Sequence, residues 1–125
     1  MKKFITNTFI IMFVLLSPVL AHATIVINEI MYDLDGTDTD REWIEIFNDG
    51  SVSVDLSGYK FFETNTNHSL NPETESSVPA GGYAVIVDNI AKFRADWPNF
   101  SGIIFDSSFS LNNDLGETLA IKNTT

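Results

Sequence analysis

An all-β sandwich carrying a single short helix is the fold class this sequence predicts. Three observations predict it. Short runs rich in Val, Ile, Phe, Tyr and Trp recur along the chain. Clusters of Asn, Asp, Ser, Gly and Pro separate them at the short intervals that sandwich strands require. Only residues 89–97 place apolar side chains at a helical spacing.

The first 23 residues are read as a signal peptide rather than as structure. Met1-Lys2-Lys3 is a basic start, residues 9–16 are an unbroken apolar run, and Ala21 and Ala23 occupy the small-residue positions before a cut. The run is shorter than the roughly 20 residues a spanning helix needs, and Pro18 interrupts its extension. No stable membrane span is therefore expected after cleavage. What remains, Thr24 to Thr125, is 102 residues and one small domain. It has no cysteine, so stability must come from packing, sheet pairing or a bound partner.

Along this domain, residues 25–31 alternate β-branched and polar side chains and read as a strand. Residues 33–40 are a loop of Asp, Thr and Gly. Residues 43–47 form the second strand, and Asn48-Asp49-Gly50-Ser51 is a turn signal. Residues 52–62 read as a third strand kinked at Ser57-Gly58, where glycine permits a bend. Residues 64–77 are polar and are the least ordered part by composition, with room for a short strand around 68–71. Pro79-Ala80-Gly81-Gly82 turns into a strand at 83–88. Ile90, Phe93 and Trp97 then form a helical stripe, capped by Asp88 or Asn89 and stopped by Pro98. Residues 103–105 and 107–111 follow, then a turn at 112–116, and residues 117–122 are the last strand.

The charge balance narrows the function classes. Loss of Lys2 and Lys3 leaves five basic residues, Arg41, Lys60, Lys92, Arg94 and Lys122, against 17 acidic ones, a formal charge of −12. Nucleic-acid binding by counterion release needs clustered Lys and Arg, so no nucleic-acid partner is expected. Acidity of this kind keeps an exported protein soluble.

Several residues invite a chemical reading. Aligned to a calcium-binding EF-hand loop with Gly36 at position six, the acidic loop puts Met31 where the first aspartate belongs. A looser calcium site of Asp33, Asp35, Asp38 and Asp40 is the weak alternative, beside the reading of a solvated loop. No cofactor is otherwise expected. Asn28, Glu29, Glu42 and Glu45 lie on or beside apolar strands, and either form an acid–base pair or are strand-face polar groups, with Asn28 or Asn48 bonding a neighbouring loop. The structural reading is favoured. His68 is the sole histidine of the domain and has no Gly-x-Ser-x-Gly elbow to serve. Trp43, Trp97, Tyr59, Tyr83 and the phenylalanines are core residues by default or else a sugar-stacking platform. No catalytic residue is assigned.

The residues also resemble a known family. Ile27-Asn28-Glu29-Ile30-Met31-Tyr32, then 42–48 (EWIEIFN), then 54–59 (VDLSGY), the Pro79-Ala80-Gly81-Gly82-Tyr83 turn, and 110–113 (SLNN) followed by 116–121 (GETLAI) are similar, in order, to the bacterial branch of the lamin-tail domains. The blocks span nearly all of residues 24–125. The resemblance implies an immunoglobulin-like β-sandwich and a non-catalytic structural or interaction module, and it brings no catalytic residues. It also implies a further closing strand after residues 119–121, so the sequence is expected to be a C-terminally truncated piece, or to be completed by a partner's strand. The expected place of work is outside the cytoplasm, as a secreted, periplasmic or cell-surface protein, with a protein or cell-surface partner. The alternatives are an accessory domain of an exported hydrolase and a calcium-dependent surface or carbohydrate binder.

Overall fold

The computed structural model describes residues 24–123, so the expected signal segment, residues 1–23, lies outside the described residues. In chain order the elements are β1 (Ile25–Met31), β2 (Trp43–Asn48), β3 (Val54–Asp55), β4 (Tyr59–Glu63), β5 (Thr66–Ser69), β6 (Asn71–Pro72), β7 (Ser77–Val78), β8 (Tyr83–Val87), α1 (Ile90–Asp96), β9 (Ile103–Asp106) and β10 (Leu119–Asn123). They build a five-stranded sheet in the order β1-β2-β8-β9-β6, a three-stranded sheet β10-β4-β5 and a small ladder β3-β7.

The core lies between these sheets. Ile44 and Ile46 of β2, Ile86 of β8 and Phe105 of β9 meet Phe61 of β4 and Leu56, all fully buried. A second apolar layer lies on the other side of the five-stranded sheet. There α1 places Phe93 on Trp43, Val85, Val87 and Ile104. Strand β8 is thus covered on both faces, which is why its sequence reads as a continuous apolar run instead of an alternation.

The helix has a topological reason. Strands β8 and β9 run parallel, and a parallel pair needs a crossover connection. The Asn89 side chain caps that crossover helix by accepting the Lys92 amide at 3.1 Å. The expected helix over 89–97 is found at 90–96 with Asn89 and Trp97 as caps.

Two local expectations change. The kinked strand over 52–62 is two strands in different sheets: β3 pairs with β7, whereas β4 pairs with β10 and β5. The bend at Ser57-Gly58 is the crossing point, held by the Tyr59 amide on the Leu56 carbonyl at 2.9 Å. The polar stretch 64–77 is ordered, with β5, β6 and β7 inside it. Its order comes from pairing with β4, β9 and β3, which composition does not reveal. Pro72 sits on β6 at the sheet edge, where its missing N–H costs no ladder bond.

A β-bulge shapes β1. The register against β2 shifts between Ile27 and Glu29, so Asn28 is extra. Before the bulge, Ile25 and Ile27 pack on the inner core. After it, Glu29 lies directly opposite Glu45 and Met31 opposite Trp43. One inserted residue thereby re-aims two side chains to the outer, helix-covered face. Strands β1 and β10 are the sheet edges on the same side of the sandwich and come into contact there.

Candidate functional site

Residues 109–112 have no strand partner among the described residues, yet Phe109 and Leu111 point into the core. Their backbone N–H groups must still be satisfied. Four carboxylates from four places in the chain do this. The Phe109 amide donates to Asp88 at 3.2 Å, Ser110 to Glu63 at 3.4 Å, Leu111 to Glu42 at 2.8 Å and Asn112 to Glu117 at 2.6 Å. Glu42, Asp88 and residues 108–113 line one open cleft of about 640 Å³.

The electrostatics follow from burial. Glu42 is only 5% exposed. Burial pushes its carboxyl from the ordinary 4.5 up to about 7, the Leu111 amide opposes this, and the carboxylates of Asp38, Asp88 and Glu63 add to it. Asp88 is also raised, chiefly by burial, against the pull of the Phe109 amide. A pKa near 7 is what a general acid needs. Here the group is occupied in holding a loop.

The acidic loop is organised by a guanidinium. Arg41 donates to the Thr37 carbonyl at 2.7 Å and the Asp35 carbonyl at 3.3 Å, and pairs with Asp96 at 2.7 Å. Asp38 accepts from Asn113 at 2.5 Å, and Asp40 adopts a left-handed φ of 61°. Among the described residues, no group of three or more His, Cys, Asp or Glu is placed to hold a metal ion.

His68 lies on β5 with its Nε2 buried, 3.1 Å from Glu63 but without hydrogen-bond geometry. It packs beside Phe61. Asn48 fulfils its expected structural role. It is fully buried, and its amide donates to the Val52, Val78 and Pro79 carbonyls at 2.8, 3.0 and 3.1 Å while its Oδ1 accepts the Gly50 amide at 3.0 Å. The 79–82 turn fits against it: the Gly81 amide donates to the Asn48 carbonyl at 2.9 Å. Gly81 has φ +67°, and a Cβ on Gly82 would stand 2.9 Å from the Pro79 carbonyl oxygen. Both glycines are required there.

The outer face of β1, β2 and β8 is organised in rows. Strand register aligns Val26, Phe47 and Tyr83, then Glu29, Glu45 and Val85, then Met31, Trp43 and Val87. Phe47 and Tyr83 stack at 4.7 Å. At the other end, Trp43 meets Trp97 edge to face at 6.2 Å and Phe93 at 6.4 Å. Asn28 donates to Glu45 at 2.7 Å. Of the aromatic residues read from the sequence, Trp43, Trp97 and Tyr83 share this face, whereas Tyr59 belongs to the other sheet. Of the phenylalanines read with them, Phe47, Phe93 and Phe100 lie on this face. The alternation of β2 places Phe47 there, while Phe93 and Phe100 reach it through the crossover that carries α1.

Two facing sheets with a buried inner core and one short helix define an immunoglobulin-like sandwich. The family model of the Lamin Tail Domain matches residues 18–125. The chain belongs to that family. No curated protein and no solved structure matches it.

Proposed function

We propose that the chain is a non-catalytic structural or interaction module that works outside the cytoplasm. The observation that carries this reading is the use made of the four carboxylates around residues 109–112. Glu42, the buried carboxylate with the most perturbed pKa, accepts a main-chain amide and tethers a loop. Family membership supports the module reading. The basic, apolar and small-residue order of residues 1–23 supports export.

Expression in a bacterial host with a C-terminal tag tests both halves. The expected result is a mature N-terminus at Thr24 in the exported fraction, and no turnover of ester, glycoside or phosphodiester reporters. Retention in the cytoplasm with an intact Met1 overturns the export half. Reporter turnover abolished in a Glu42→Gln protein of unchanged melting temperature overturns the non-catalytic half.

A further inference from the structure

The outer face of β1 and β2 holds an arrangement that folding alone does not explain. The bulge at Asn28 sets Glu29 directly across from Glu45. Like charges at opposed strand positions repel. No ion pair relieves them among the described residues: Arg41 is bound to Asp96, Arg94 to Glu73, and Lys122 lies over Phe62. No Lys or Arg lines the concavity of about 280 Å³ beside them, which lies between the sheet and α1. Its walls are aromatic. Trp43 and Trp97 stand at 90° to each other, and Phe93 and Phe100 at 82°. Trp97 remains 45% exposed.

Two carboxylates with no cationic partner, one of which accepts the Asn28 amide, line an aromatic concavity, and that arrangement is complementary to an organic cation. The carboxylates attract the charge, and the rings attract it through their quadrupoles while covering its alkyl stem. A mostly apolar concavity with few polar groups is also the general form of a binding site. The neighbouring backbone indicates what carries the cation. Strand β1 is a sheet edge that touches β10 without pairing with it, and an extended peptide pairing along it would lay every second side chain over this face.

We propose that this face binds a lysine side chain of a partner polypeptide, with Glu29 and Glu45 taking the ammonium and the exposed ring of Trp97, backed by the buried Trp43, covering the stem. The proposal rests on the reading of the chain as an interaction module and names that module's contact site. Val26, at 37% exposure, and Tyr83, at 51%, extend the contact along the same face.

The chain contains two tryptophans, and both lie at the site, so their fluorescence reports on it directly. The protein is titrated with a capped pentapeptide of glycines around one lysine, with the same peptide carrying norleucine, and with tetramethylammonium. The expected result is a saturable change with the lysine peptide and none with the norleucine peptide. A Glu29→Gln, Glu45→Gln double variant that keeps its melting temperature is expected to bind at least about tenfold more weakly. Equal binding of the norleucine peptide, undiminished binding by the double variant, or no response to the lysine peptide overturns the proposal. Tetramethylammonium binding as tightly as the peptide overturns the polypeptide source. None of these results bears on export or on reporter turnover, so the proposed function stands or falls separately.

Discussion

Glu42 and Leu111, 69 residues apart in the chain, meet at 2.8 Å with the carboxylate accepting the main-chain amide. Glu42 leads into β2 and Leu111 lies in the long connection before β10, so this contact closes one end of the sandwich. Three further carboxylates do the same for the neighbouring amides. The loop is consequently held by carboxyl groups instead of a ladder, and the burial of Glu42 makes the stability of this end depend on pH.

The folded-state pKa of Glu42, about 7, lies above its ordinary 4.5. Its contribution to stability is full below about pH 4.5 and is lost as pH rises through about 7. Asp88, also raised, acts in the same direction. Urea midpoints are therefore expected to fall between about pH 5 and pH 8. Glu42→Gln keeps an acceptor for Leu111 and cannot ionise, so its midpoint should fall less across that window.

Asn48→Ala removes the partner of three carbonyls and one amide in the interior. A buried polar group left unpaired costs about 1–3 kcal/mol. A loss on the order of 3 kcal/mol is expected, measured by chemical denaturation. Gly82→Ala should also destabilise, because its Cβ meets the Pro79 backbone.

Core and cap substitutions should separate by size. Phe105→Ala, at a fully buried position between the sheets, is expected to cost about 3–5 kcal/mol. Asn89→Ala removes one capping bond of α1 and is expected to cost about 1 kcal/mol. Denaturation midpoints of the two variants check the order.

Arg41→Met should leave global stability nearly unchanged, because its ion pair with Asp96 is open to solvent. It should nevertheless speed amide exchange in residues 33–40, which lose the guanidinium that binds their carbonyls. Calcium at about 5 mM is expected to leave the melting temperature of the unmodified protein unchanged, since binding to the native state alone would raise it.

Much of the strand layout was legible, because period-two burial leaves a pattern in the chain. Strands β1, β2, β8 and β10 and helix α1 could be read directly, and Asn48 could be foreseen as a structural hydrogen-bonder. Of strands β5, β6 and β7, only a short strand around 68–71 was foreseen. Their residues are polar and few, and their order is supplied by neighbours distant in sequence. The role of Glu42 was hidden for the same reason: a carboxylate's partner at a separation of 69 residues leaves no local trace.

By itself the sequence determined the class: an all-β sandwich of the lamin-tail kind with one helix, since apolar periodicity, turn chemistry and motif order are local properties of the chain. Tertiary structure alone decided the sheet order, the switch of sheet at Ser57-Gly58, the parallel β8–β9 pair and the fate of the carboxylates. It also decided that Glu29 faces Glu45, because a single bulge residue turns a strand's side chains to the other face. Those outcomes depend on pairings between segments far apart in sequence, and they exist only once the chain has closed on itself.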